Sequence, residues 1–236
     1  MTETAVLEPI NDHIEDEAGE SSSTFGLMMI KPHAYGEGAD MAIADLLDGE
    51  YGPEDDRIKA LRLSPETVKA LFVDRKLHIV SRFYRTIDAE KDAGLFDIFY
   101  GRDKDSRHYP TLLEHYSGQV GFLLLRYDGT NEEYALLARE LKGKHSFQNG
   151  VLNPGSGIRG TFSPLRKVID LDALSQAPDE EYKDKIGSVI DNVIHITDFP
   201  SETAQAVKSL LLPGEIDDIE NRGIPIHTFI DTHNHE

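Results

Sequence analysis

The chain has 236 residues, with 24 lysines and arginines against 43 aspartates and glutamates, and a formal net charge of −19 with its histidines neutral. Such an acidic chain argues against general nucleic-acid binding and against an anionic membrane surface, both of which need a basic face. It has no cysteine, which excludes a disulfide framework, a thiol nucleophile and a thiolate metal site.

The length suits one sizeable domain with a real core. No apolar run reaches the roughly 20 residues of a membrane helix. The N-terminus has no basic region ahead of an apolar one, so it does not read as a secretory signal, and a cytoplasmic protein is expected. An anionic substrate would need a few well-placed cations to overcome the global field.

Residues 1–23 are acidic, serine-rich and aperiodic, and read as a disordered N-terminal segment. "TFGLMMIK" (24–31) is an apolar run ending in Lys31-Pro32, a buried strand that presents a lysine at its end. "ADMAIADLLDG" (39–49) predicts a short helix stopped by Gly49, and 50–62 a loop or insertion. "SPETVKALFVDRK" (64–76) predicts a helix with Ser64 as N-cap and Pro65 at its first position. "LHIVSRFYRTI" (77–87) alternates like a half-buried strand. Helices follow at "DAEKDAGLFDIFYG" (88–101), opened by Asp88, and at "YPTLLEHYSG" (109–118).

"VGFLLLRY" (120–127) is a buried strand, and "NEEYALLARELKG" (131–143) an amphipathic helix with Asn131 as cap and Gly143 as stop. "NGVLNPGSGIRG" (149–160) reads as a glycine-rich loop, and the stretch from 161 to 187 is low in pattern. "VIDNVIHI" (189–196) is strand-like, and "SETAQAVKSLLL" (201–212) predicts a helix. The segment 213–236 carries His227, His233 and His235 without a closed metal-ligand spacing, so a solvated C-terminal extension is expected. Strands separated by paired helices imply an α+β fold: a ferredoxin-like sandwich, a four-stranded antiparallel sheet with helices on its face.

His195 stands in "DNVIHITDF" (191–199), between core-like residues and bracketed by Asn192, Thr197 and Asp198. A hydrogen-bonded strand-end histidine is the plain reading. A nucleophile or general base is the sharper one, since an imidazole titrates near neutrality. Lys31 is either a snorkelling lysine at a sheet edge or a point charge for phosphate. Arg139 sits near the end of its helix, where the dipole favours cations. Arg159 follows the glycine-rich loop, which is no Walker motif because no GK[ST] follows. Two arginines on one pocket would match phosphate oxygens.

"MMIKPHA", "FYG", "YPTLLEHYSG", "LARELKGK", "GIRGTF" and "NVIHITD" occur in the order, and with much of the spacing, of the nucleoside diphosphate kinase family, which the chain resembles from about Thr24 to Leu212. The resemblance implies a ferredoxin-like kinase domain over 24–212 with insertions near 49–63 and 163–188. It implies a ping-pong transfer of a γ-phosphate from a nucleoside triphosphate to a diphosphate through a phosphohistidine at His195. Mg²⁺ would be carried by the nucleotide phosphates, with no protein metal ligand.

By the same resemblance Lys31, Tyr100, Arg139, Arg159 and Asn192 fall on substrate-binding positions, with Thr197 and Asp198 supporting the histidine. His108 falls where the family stacks the base, and His145 on a phosphate-contacting position. The partners implied are nucleoside tri- and diphosphates, with a homo-oligomer left open.

The family's glutamate that orients the histidine has no counterpart at the matching place, where Ala206 or Val207 falls. Ile196 and Phe199 enlarge side chains beside the expected nucleophile. Two alternatives therefore stand beside the kinase. One is the same fold acting on a specialised non-nucleotide acceptor, favoured by His108, His145 and the two insertions; the other is a nucleotide-binding regulatory protein without turnover, favoured by the missing glutamate and Ile196.

Overall fold

The structure, a computed structural model, describes residues 23–35, 39–88, 90–100, 106–107, 109–143, 146–148, 151–153, 155–162, 169–190 and 193–233. Residues 1–22 of the N-terminal segment, His108, His145 and Asn192 lie outside the described residues, as does the side chain of Tyr100, while Ser23, expected in the disordered segment, opens the first strand. Strand β1 (Ser23–Ile30) leads through α1 (Pro32–Tyr35) to α2 (Ala39–Asp48). The first insertion, expected as a loop, contains α3 (Asp56–Ala60). Next comes α4 (Pro65–Val68), where Ser64 accepts from the Thr67 amide at 3.2 Å and Pro65 opens the helix as expected, running on into a π-helical turn over Lys69–Val73.

Strand β2 (Leu77–Ile87) precedes α5 (Ala93–Tyr100) and α6 (Tyr109–Tyr116). Strand β3 (Gly118–Asp128) then feeds α7 (Asn131–Lys142). The cap of α7 is Thr130 rather than Asn131: Thr130 and Glu133 satisfy each other's amides in a capping box. The glycine-rich stretch holds β4 (Ser146–Gln148), β5 (Val151–Asn153) and α8 (Gly157–Phe162). The pattern-poor second insertion forms β6 (Ile169–Asp170), α9 (Leu171–Ser175) and α10 (Asp179–Ile190). Strand β7 (Ile194–Ile196) precedes α11 (Pro200–Leu210), α12 (Pro213–Glu220) and α13 (Ile226–His233).

The main sheet runs β2-β3-β1-β7, with each of its pairings antiparallel. This is the expected four-stranded ferredoxin-like sheet. Its covering is wider than expected, because both faces are packed. Along β1 the side chains of Phe25, Leu27 and Met29 enter one core, and those of Met28 and Ile30 the other. Along β3, Val120, Phe122 and Leu124 alternate in the same way with Leu123, Leu125 and Tyr127. The uninterrupted apolar runs of these two strands follow from burial on both sides.

The first face is covered by α5, α6, α11 and α13 with the second insertion, and the second face by α2, α3, α7 and α8. Gly26 allows the latter packing on β1, since a methyl there would run into the Tyr134 hydroxyl and ring. The segment from 213 on is not a solvated tail. Ile219, Ile226, Phe229 and Ile230 are buried in the first core, and the Phe229 ring lies 5.0 Å from that of Phe25. Among the described residues no helix is long and apolar enough to cross a membrane.

Candidate functional site

β7 is an edge strand, and its pairing explains how the site is built. The Lys31 amide donates to Val193 O and the Thr197 amide to Leu27 O, each at 3.0 Å, with Met29 opposite His195. Backbone groups of residues 193, 195 and 197 therefore face β1, and the carbonyls of Ile194 and Ile196 face outward. An edge carbonyl left without a partner would be costly or sticky. Here cations take both. Arg159 Nε and Nη2 donate to Ile194 O at 3.2 and 3.1 Å. Lys142 Nζ donates to Ile196 O at 3.2 Å. The two carbonyls that flank residue 195 thus draw two cations to it.

Side chains alternate across the same strand. Ile194 and Ile196 point into the second core, while His195 lies on the first face, its ring 5.0 Å from that of Phe99. Ile196, expected to crowd the nucleophile, is 1% exposed and buried on the far side of the sheet. His195 Nε2 lies 3.1 Å from Glu202 Oε1, and both side chains are mostly buried. The other oxygen of Glu202 accepts from the Asp198 amide at 3.1 Å.

An orienting carboxylate is therefore present, contrary to the sequence expectation. Ala206 and Val207 are indeed buried in the core. Glu202 stands four residues before Ala206, on the same side of α11 and one turn nearer its start.

Burial, then the positive charges of Lys142, Arg159 and Lys31, depress the His195 pKa well below its ordinary value, with Asp198 acting against them. Burial raises Glu202 to about 7, partly offset by the Asp198 amide and Lys142. The ring is thus neutral at neutral pH and surrounded by three cations. Lys31 is only 2% exposed, with its ammonium 4.3 Å from the centroid of the Tyr116 ring. Asp198 ties the remaining cations: its Oδ1 lies 2.7 Å from Lys142 Nζ and its Oδ2 3.8 Å from Arg139 Nε. Thr197 is fully buried. Its hydroxyl accepts from the Leu27 amide at 2.9 Å and bonds the Thr203 hydroxyl at 2.7 Å, so it fastens β7 to β1 and α11.

Of the residues expected from sequence, His195, Lys31, Arg159, Asp198 and Thr197 come together here, and Arg139 joins through Asp198. Two residues of this cluster, Lys142 and Glu202, were missed. Lys142 carried a signal, since it lies one helical turn after Arg139 on α7. Glu202 had only its acidic place in the first turn of the helix after the histidine.

Two glycines set the spacing of the cations. Gly143 ends α7 at φ 82° and Gly157 begins α8 at φ 68°. A methyl on Gly143 would strike the Ser156 carbonyl and Gly157, and one on Gly157 would strike Gly143. Their contact brings the end of α7, with Lys142, beside the start of α8, with Arg159. Gly143→Ala is expected to cost about 1–3 kcal/mol of stability from the left-handed backbone alone, with the clash added. A urea midpoint equal to the parent's would show that the close approach is not required.

Among the described residues no group of three His, Asp or Glu side chains could hold a metal. His227 pairs with Glu220 at 2.9 Å, and His233 lies 3.0 Å from Phe229 O.

No family model matches the sequence, and no curated protein matches it in sequence. Solved structures do match in shape. A nucleoside-diphosphate kinase from Borrelia burgdorferi, a transition-state mimic with bound vanadate and ADP, aligns with a TM-score of 0.51 and 15% identity, covering 82% of this chain and 89% of that one. This chain has the nucleoside diphosphate kinase fold. The nucleoside diphosphate kinase of Aquifex aeolicus (TM-score 0.47, 16% identity, 82% of this chain and 99% of that one) is also similar. So is an NDP kinase of Pyrobaculum aerophilum (0.48, 14%, 83% and 99%). At these identities the likeness is one of fold. The chain carries on the nucleoside diphosphate kinase fold a buried imidazole, a carboxylate on its Nε2 and a ring of cations.

Proposed function

We propose that the protein transfers the γ-phosphoryl group of a Mg²⁺-bound nucleoside triphosphate to a nucleoside diphosphate, in two steps through His195. The observation that carries this reading is the imidazole whose Nε2 is engaged by Glu202 while Lys31, Lys142 and Arg159 act on the ring. With the proton on Nε2 shared towards Glu202, the lone pair of Nδ1 attacks the γ-phosphorus. The bond from that phosphorus to its bridging oxygen breaks, and the electron pair leaves with the diphosphate. The ring becomes positive as the N–P bond forms, and the Glu202 carboxylate stabilises that charge. In the second step a terminal oxygen of the acceptor diphosphate attacks phosphorus, and the N–P bond breaks.

Such a transfer depends on positioning and charge neutralisation. The donors gathered at the site are cationic, which fits phosphate oxygens and not a metal ion. Mg²⁺ accordingly belongs to the nucleotide, where it neutralises phosphate charge. That a protein of the same fold holds ADP and vanadate is consistent with this reading.

The reading without turnover rested on the missing glutamate and on Ile196. Glu202 and the burial of Ile196 remove both supports. The specialised acceptor rested on His108 and His145, which lie outside the described residues, and on the two insertions, which carry α3 and β6, α9 and α10.

The test is incubation with γ-labelled ATP and Mg²⁺, then a chase with assorted diphosphates. Acid-labile label on His195 that moves to nucleoside diphosphates supports the kinase. Label that stays in place supports a different acceptor, and absence of label removes both. Arg159→Ala should weaken triphosphate binding by about 1.5–3 kcal/mol, the scale of a charge-assisted contact. An unchanged affinity in a calorimetric titration would place Arg159 outside the phosphate site.

A further inference from the structure

The first insertion and the start of α4 that follows it touch, between them, both elements that deliver cations to His195. Its helix α3 is anchored in the second core by Ile58 and Leu61, 1% and 0% exposed. Directly after it, the Leu61 carbonyl accepts from the Gly157 amide at 2.7 Å, and the Ala60 carbonyl from the Thr161 hydroxyl at 3.2 Å. Both contacts fall on α8, on either side of Arg159. Arg62 then takes a left-handed backbone, φ 53°, which turns the chain towards α7. There Ser64 donates from its amide and its hydroxyl, and Thr67 from its hydroxyl, to the carboxylate of Glu140. Glu140 sits on the last turn of α7 between Arg139 and Lys142.

A left-handed non-glycine residue is uncommon and persists where its surroundings over-determine it. Here it joins two sets of contacts, one to each cation-bearing helix. Burial raises the Glu140 carboxyl, but the donors of Thr67 and Ser64 outweigh it and hold its pKa below the ordinary value. The carboxylate is thus the form that the three donors need.

We infer that the first insertion, with the start of α4, is a brace for the phosphate clamp, and that Glu140 is a positioning residue: through Ser64 and Thr67 it fixes α7 against α8, so that Lys142 and Arg159 stay on the carbonyls beside His195. The inference rests on the phosphotransfer reading for its kinetic consequence, but not for its geometry.

Glu140→Gln puts an amide donor where three donors already converge, which breaks the contact without opening a large cavity. The groups that face His195 are Glu202 from α11, Asp198 before it, Lys142 from α7, Arg159 from α8 and Lys31 from the end of β1. Withdrawing Lys142 and Arg159 removes two of the charges that hold the ring neutral. The variant should therefore raise the KM for the nucleoside triphosphate by about tenfold, with kcat within about threefold of the parent. The titration midpoint of His195, followed by NMR, should move up towards the ordinary value of about 6.5.

Thr67→Val with Ser64→Ala attacks the same contact from the other side and should reproduce both shifts; it serves if Glu140→Gln does not fold. Thr130→Ala is the control, because it loosens α7 at its far end: its melting temperature should fall, with KM and the His195 midpoint unmoved. Brace variants that lose thermal stability but keep the parent KM and the parent His195 midpoint would overturn the inference. If the parent itself shows no transfer, the kinase reading fails, and the His195 midpoint alone still decides for or against the brace.

Discussion

His195→Ala is expected to abolish phosphoryl transfer, a fall of at least about 10⁴-fold, while nucleotide affinity stays within a few-fold of the parent. The asymmetry follows from how the site is held. Arg159 and Lys142 are anchored on the main-chain carbonyls of residues 194 and 196, and Lys142 also on Asp198. These anchors do not involve the imidazole, so the cations should remain in place when the ring is removed. What disappears is the imidazole whose Nδ1 lone pair attacks phosphorus in the proposed step.

The checks are labelling with γ-labelled ATP and an independent binding titration. Label retained at parental level would exclude His195 as nucleophile. Binding lost together with labelling would mean that the cations are not seated as described.

The strands were legible where their pattern was strong. "TFGLMMIK" and "VGFLLLRY" announce strands buried on both faces, but one sequence cannot say how many layers cover a sheet, and the second face went unread. The C-terminal segment was misjudged because its acids and histidines dominate the composition. Its apolar residues at 226, 229 and 230 already had helical spacing. The first insertion offered Pro53 and four consecutive charged residues, which masked the short α3.

At the site, His195 and Lys31 were readable as polar residues at the ends of apolar strands. Glu202 was not. Its role depends on α11 starting immediately behind β7, so that the first turn, and not the second, comes level with the ring. Likewise the cation ring comes from edge-strand carbonyls, whose outward direction is a matter of pairing register that the sequence does not display.

The sheet register also decides which departures from the family matter. Residues 195 and 196 face opposite cores, so a bulky Ile196 fills space beneath the sheet and leaves the reacting face alone. Phe199 is different, since it is outside the strand and exposed at the rim. The departures at 196 and 199 thus lie outside the cluster itself, while His195, its carboxylate and the neighbouring cations form one connected assembly.

Glu202→Gln should lower kcat by about 100-fold or more with little change in KM. A carboxylate offers acceptors at both ends, and Glu202 uses both, one for His195 Nε2 and one for the Asp198 amide. Glutamine has a single acceptor oxygen. If that oxygen stays with the Asp198 amide, its NH₂ group faces Nε2 and requires a lone pair there. The ring proton then moves to Nδ1, the atom that must attack phosphorus. If the oxygen turns to the ring instead, two donors meet at Asp198 and the start of α11 is strained. Either way the productive tautomer is disfavoured, and the charge that forms on the ring loses its counter-ion.

The pH dependence carries the same logic. Burial lifts Glu202 to about 7 and drives His195 below its ordinary value. Protonation of the pair on acidification therefore falls first on Glu202, and kcat in the parent should decline as pH drops through about 7. In Glu202→Gln that acid limb should vanish and leave a low, flat profile until His195 itself protonates. A variant that kept the parental limb near neutrality would assign it to another group and take Glu202 out of the mechanism.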